Sequence, residues 1–125
     1  MTSERIDERP HVLLVEDDRD TREMYSQYLS DSGLNVSEAA TGRRGLECAL
    51  SDHPDVVVTD IAMPEMDGIE MTRRLRQLED DGHVPIIAVS GQASDRMREA
   101  GADIVIDKPC EPDVLLHAIE DVLKR

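Results

Sequence analysis

Four short runs in this chain are apolar almost without interruption, rich in β-branched residues, and closed by a carboxylate or a hydroxyl. They are HVLLVED at 11–17, DVVVTD at 55–60, VPIIAVSG at 84–91 and ADIVID at 102–107. A strand with one face in water alternates apolar and polar residues. A run without that alternation is covered on both faces, as in a parallel sheet packed between helices. A fifth, more polar run, LNVSEAA at 34–40, reads as an edge strand.

The segments between the runs have helical spacing. Residues 18–32 place Met24, Tyr25, Tyr28 and Leu29 on one side, and Gly33 follows as a stop. Residues 41–54 open on Thr41 as a cap, carry Leu46, Ala49 and Leu50, and end at Pro54. Residues 68–81 carry Ile69, Thr72, Leu75 and Leu78. A short segment at 93–102 aligns Ala93, Met97 and Ala100. The last, 112–123, has the clearest stripe, Leu115, Ala118, Ile119, Val122 and Leu123, with Pro112 in its first turn. Five β–α pairs in alternation imply an α/β fold, a doubly wound (βα)5 parallel sheet with right-handed crossovers. In such sheets ligands bind at the carboxyl ends of the strands, where the strand order reverses.

The 125 residues fit one domain, with a loose polar leader expected over 1–10 and the folded unit over 11–125. Two Tyr and no Trp or Phe leave an aliphatic core. A net charge of −14 argues against direct contact with nucleic acid or an anionic membrane. Cys48 and Cys110 form no metal-binding spacing. The opening MTSERIDERP has no apolar core of a secretory signal, and no run approaches a membrane span. A cytoplasmic protein with free thiols is expected.

In a parallel sheet all carboxyl ends share one edge, so the groups closing the runs can converge. They are Glu16 and Asp17, then Asp60, then Ser90 with Gly91, then Lys108 with Pro109. Two carboxylates about 5 Å apart repel by roughly 3 kcal/mol at an effective dielectric of 20. Such a cluster favours a hard cation bound by oxygen, Mg²⁺ first and Mn²⁺ as the other candidate. With a cation and an ammonium present, the pocket suits a phosphoryl group, and Asp60 becomes a nucleophile that forms an acyl phosphate. Taken singly, each feature has a plain reading. Asp18 is a helix cap, Ser90-Gly91 a loop, and Asp67-Gly68 a turn into a helix. Their placement on successive strand ends is what points to chemistry.

With these residues in view, the chain resembles a response-regulator receiver domain of two-component phosphorelay signalling. The matching pieces are VLLVEDD, VVVTDIAMPEMDG, PIIAVSG and DKP, in that order, and the resemblance runs from about residue 11 to 125. It implies a flavodoxin-like sheet in the strand order 2-1-3-4-5. It implies Asp60 as the phosphorylated residue. Glu16 and Asp17 would hold Mg²⁺ together with Asp60 and the backbone carbonyl of Ala62. Ser90 and Lys108 would receive the phosphoryl group, and Pro109 would follow a cis peptide bond. Two positions depart from the family pattern. Val105 stands where a switch aromatic is usual, and Cys110 where Phe is common. The switch is then expected to rest on Ser90 and the loop and short helix after it. Ala62 and Gln92 flank the path of the attacking water in the family.

The function implied is a phosphorylation-dependent switch rather than an enzyme. Its donor would be a sensor histidine kinase or a histidine phosphotransfer protein. Its output would be a downstream protein bound at the surface of the fourth helix, fifth strand and fifth helix. Both a stand-alone receiver and a fragment of a larger regulator fit. A degenerate receiver that binds partners constitutively would have a broken acidic pocket, whereas every member is present. A Mg²⁺-dependent aspartyl-phosphate phosphatase needs a second acid two residues after its nucleophile, where this chain has Ala62.

Overall fold

The computed structural model describes residues 8–79, 83–92 and 94–125, and in them strands and helices alternate without exception. The strands are β1 (His11–Val15), β2 (Asn35–Ala39), β3 (Val56–Asp60), β4 (Ile86–Ser90) and β5 (Ile104–Asp107). The helices are α1 (Arg19–Asp31), α2 (Gly42–Asp52), α3 (Gly68–Leu78), α4 (Ser94–Ala100) and α5 (Pro112–Leu123). All strand pairs are parallel, in the order β2-β1-β3-β4-β5. Asp81, Ala93 and residues 1–7 of the expected leader lie outside the described residues. Pro10 already takes part in the fold, since its carbonyl accepts the Asn35 amide at 2.9 Å.

The period-two geometry of a strand divides each central run between two cores. Val12, Leu14, Val56, Val58, Ile87 and Val89 pack with Tyr25 and Leu29 of α1 and Leu115, Ile119 and Val122 of α5. Leu13, Val15, Val57, Ile86 and Ala88 face α2, α3 and α4. This is why β1, β3 and β4 read as unbroken apolar runs. The ADIVID run is different from the expectation of double cover: Ile104, Val105 and Ile106 of β5 are only half-buried and Asp107 is exposed. The strand order leaves β5 at a sheet edge, where one flank has no neighbour.

Helix ends follow the local chemistry. Asp18 caps α1 by accepting the Thr21 amide at 2.9 Å, Thr41 caps α2 through Arg44 at 3.1 Å, and Asp67 caps α3 through Glu70 at 2.8 Å. Gly33, at φ +95°, takes the left-handed conformation that follows α1.

The helix faces depart from the expected stripes. In α1, Tyr25 and Leu29 are buried, while Met24 and Tyr28 are exposed. In α2 the buried face is Gly42, Gly45, Cys48 and Ala49, and Leu50 turns outward. The cause is close approach. A Cβ on Gly45 would stand 2.7 Å from a Val15 methyl and 3.0 Å from the Met71 sulfur. Only glycine lets α2 lie this near β1, and the helix rotates to present that face. In α3, Met71 is buried and Leu78 is exposed.

At the amino end of the sheet, Arg76 ties α3 to the start of β5. Its guanidinium donates to the carbonyls of Gly101 and Val84, to Glu79 at 2.9 Å and to Asp103 at 3.0 Å. Asp103 also accepts from the Ile86 amide at 2.8 Å and pairs with His83 at 2.9 Å. Burial pushes the Asp103 carboxyl up, but the His83 and Ile86 hydrogen bonds and the Arg76 charge outweigh it. The net result lies below the ordinary 3.8.

Two expectations follow from this packing. Gly45→Val forces a branched side chain against Val15, and it lowers stability by about 2 kcal/mol or more in urea denaturation, while Leu50→Ala stays within about 1 kcal/mol. The Asp103 carboxylate is easier to protonate in the unfolded chain than in the folded one. Its contribution is therefore complete above the unfolded value and is lost as pH falls through the depressed folded value. Denaturation midpoints measured downward from about pH 5 should fall less steeply in Asp103→Asn than in the parent chain.

Candidate functional site

Strand register brings the polar strand ends to one place. Val15 lies opposite Thr59, so Glu16 follows beside Asp60. Asp60 lies opposite Val89 and Ser90 opposite Asp107, so Ser90 and Lys108 close the other side. The order β2-β1-β3 reverses direction at β1, which puts these groups at the switch point of the sheet. One ligand oxygen from each of Glu16, Asp17 and Asp60 lies within 4.8 Å of the others. Glu16 and Asp60 are buried and Asp17 is exposed.

Asp60 is held through one oxygen of its side chain and through its backbone carbonyl. Its Oδ1 accepts the Ile61 amide at 2.8 Å and lies 3.0 Å from the Lys108 ammonium. Its Oδ2 carries neither contact. The Thr59 hydroxyl donates to the Asp60 carbonyl at 2.8 Å, and the Gly68 amide donates to the Ile61 carbonyl at 2.8 Å. A Cβ on Gly68 would meet the Asp60 carbonyl oxygen at 2.2 Å, so the glycine lets the start of α3 press against the end of β3. Sequence reading placed Gly68 in a turn. Its contact with Asp60 depends on a tertiary approach that no local signal carries.

Glu16 feels the cost of this crowding. Burial, with the Asp60 charge and Asp17 adding to it, pushes its carboxyl up to about 7 against the opposing Asp18 amide and Lys108. The Asp18 amide donates to Glu16 at 3.0 Å. Within 4.8 Å of each other, ionised Glu16 and Asp60 would repel by roughly 3–4 kcal/mol or more at an effective dielectric of 20. Three carboxylate groups against one nearby ammonium leave an excess of negative charge. An all-oxygen set of this kind fits a small hard divalent cation.

Above these groups lies an open cleft of about 610 Å³, lined by Asp60, Ala62, Ser90, Gln92, Arg96 and Lys108 among others. Ser90 is buried, and its hydroxyl both donates to the Gln92 carbonyl and accepts the Gln92 amide at 3.0 Å. The Lys108–Pro109 peptide is cis, and the Lys108 amide donates to the Ser90 carbonyl at 2.8 Å. Val105 packs into the core on the α2–α4 side. Cys110 is buried on the opposite side in the cluster that contains Tyr25, whose hydroxyl donates to the Cys110 carbonyl at 2.7 Å. Burial pushes the pKa of both groups up, Tyr25 to about 12. Arg96 was not singled out by sequence. The one available signal is its place immediately before Met97, which anchors α4 in the core.

Comparison with known proteins agrees with this fold. The family model "Response regulator receiver domain" matches residues 12–120. "Response regulator MprA" of Mycolicibacterium vanbaalenii is 38% identical over 116 residues, covering 91% of this chain and 50% of that protein. The protein of the same name from Mycobacterium tuberculosis is 36% identical, again over 91% of this chain and 50% of its own length. This chain thus spans about half the length of the curated relatives it matches. The structure of Vibrio cholerae chemotaxis protein CheY4 superposes with a TM-score of 0.83 at 31% identity, covering 91% of this chain and 98% of that one. A CheY-like receiver domain protein from Methanospirillum hungatei gives 0.86 at 31% identity, covering 93% and 94%.

The acidic cluster yields a binding expectation. Mg²⁺ titrated into the chain should move the backbone resonances of residues 16, 17 and 60 together. It should also raise the unfolding free energy by about 1.4 kcal/mol at ten times its Kd. Asp17→Asn should weaken binding about tenfold or more, whereas an unchanged affinity would remove Asp17 from the site.

Proposed function

This chain belongs to the response regulator receiver domain family, and on that premise we propose that it is a phosphorylation-dependent signalling switch with Asp60 as phosphoacceptor. The observation that carries the reading is the pairing of buried Asp60 with Lys108 at 3.0 Å inside the acidic cluster. The donor is the phosphohistidine of a sensor kinase or of a phosphotransfer protein. Asp60 Oδ2 attacks phosphorus as the P–N bond breaks, and the leaving imidazole nitrogen takes the electron pair and then a proton. Lys108 faces the phosphoryl oxygens and offsets their charge. Glu16, Asp17, Asp60 and the Ala62 carbonyl would hold Mg²⁺, which supplies further charge neutralisation at the phosphoryl group. The chain acts as an acceptor and does not turn over a separate substrate. A cytoplasmic location fits this role. Among the described residues no helix is long and apolar enough to cross a membrane.

Ser90 gives the switch a physical form without an aromatic at Val105. Its hydroxyl has one proton to donate, and that proton is committed to the Gln92 carbonyl. Donating to an arriving phosphoryl oxygen gives up the bond to the Gln92 carbonyl and leaves only the Gln92 amide on Ser90, which loosens the loop that leads into α4. The Ser94 hydroxyl lies 3.5 Å from Asp107, so α4 and the end of β5 are joined. A displaced loop would thus reshape the α4–β5–α5 surface, where a downstream protein binds. Phosphorylation shifts a pre-existing equilibrium of this loop.

Incubation with Mg²⁺ and acetyl phosphate, read by intact mass, should add one phosphoryl group to the parent chain and none to Asp60→Asn. Failure of the parent to gain mass, with a kinase partner also present, would favour a receiver that binds constitutively. Beryllofluoride with Mg²⁺ should shift the backbone resonances of Gln92 and of residues 94–101. Ser90→Ala should suppress that shift while leaving Asp60 phosphorylatable.

A further inference from the structure

Lys108 is the cation the family reading assigns to the cleft, yet a second one lines it. Arg96 stands in the wall that also contains Asp60, Ser90 and Lys108. Most arginines of the described residues are engaged. Arg19, Arg44, Arg73, Arg74 and Arg98 pair with carboxylates on their own helices, Arg22 pairs with Glu38, and Arg76 is bound on several sides. Arg96 is exposed and forms no ion pair among the described residues, although acids outnumber bases two to one in this chain. Its position follows from packing. Met97 and Ala100 bury one side of α4. The residue before Met97 is rotated by about 100° around the helix, and that rotation brings Arg96 to the cleft.

Formal charge gives this placement a purpose. A phosphoryl group on Asp60 carries about −2, and Glu16 and Asp17 add one negative charge each. A divalent cation and Lys108 supply three positive charges and leave one negative charge over. We propose that Arg96 is the second phosphoryl-binding cation of this site, closing on the oxygens of the incoming donor and of phosphorylated Asp60. The inference rests on the receiver reading above and assigns it one more residue. A guanidinium suits the task because its donors form a planar fork that engages two phosphoryl oxygens at once. The same contact would draw α4 toward Asp60.

The test compares the parent chain with Arg96→Gln, Arg96→Lys and Asp60→Asn, each first shown to be folded by its backbone NMR spectrum. The readouts are the phosphorylation rate with subsaturating acetyl phosphate and Mg²⁺, and the affinity for beryllofluoride with Mg²⁺. Arg96→Gln should lower both by about three- to tenfold, and Arg96→Lys should recover part of the loss. Added salt should weaken the parent more than Arg96→Gln. The Mg²⁺ affinity measured without phosphodonor should not fall in Arg96→Gln, which separates loss of a phosphoryl contact from a damaged metal site. Equal rates and equal beryllofluoride affinities in parent and Arg96→Gln, with Asp60→Asn inert, would overturn the Arg96 assignment and leave the receiver reading intact. A parent chain that takes no phosphoryl group would overturn both.

Discussion

Like charge is forced together at the carboxyl edge of the sheet, and the remainder of the structure is arranged so that this is tolerated. Glu16 and Asp60 are buried within 4.8 Å of each other, with Asp17 alongside. No gain in stability explains such a cluster, since burial and repulsion both oppose it and the displaced acidity of Glu16 records the opposition. What holds it is the parallel ladder, which fixes the strand ends flush, and two bonds on Asp60 Oδ1 from Ile61 and Lys108. Strained electrostatics of this kind are characteristic of a site that awaits a ligand. An all-oxygen set of this kind fits a small hard cation, and the proposed phosphoacceptor role builds on that fit.

The two sides of the sheet serve that edge differently. The α1–α5 side is a conventional aliphatic layer in which Tyr25 reaches across to the Cys110 carbonyl, just after Lys108 and Pro109. The α2–α4 side relies on close approach, with Gly45 against Val15 and Gly68 against the Asp60 carbonyl. A closely packed layer of this sort resists displacement. The β4–α4 segment differs, because it is tied to Ser90 through one hydroxyl, which donates to the Gln92 carbonyl and accepts the Gln92 amide. Movement is therefore expected there, beside Asp60, rather than in the strands.

Much of the fold could be read from local pattern. Unbroken runs marked β1, β3 and β4, and the caps Asp18 and Thr41 stand where the sequence placed them. The candidate site was legible for the same reason, since polar groups at successive parallel strand ends must share an edge. Stripe assignments were less faithful. Leu50 and Leu78 are apolar at helical spacing but exposed, while Cys48 and Met71 are buried. Hydrophobic spacing gives a face within about one residue's rotation, and the depth of the neighbouring surface selects within it. Glycine contacts decide that depth, and they involve partners tens of residues away.

The sequence by itself determined the alternation of strands and helices, the parallel sheet, and the kinds of group that close each strand. These depend on periodicity and capping within a few residues. Tertiary structure alone decided how close and how buried Glu16 and Asp60 are, that α2 turns its glycines inward, and that Arg96 reaches the cleft where Lys108 already stands. Each of these is a distance between segments remote in the chain. Such distances are set by strand register and helix approach, and those are fixed only when the two cores close on the sheet together.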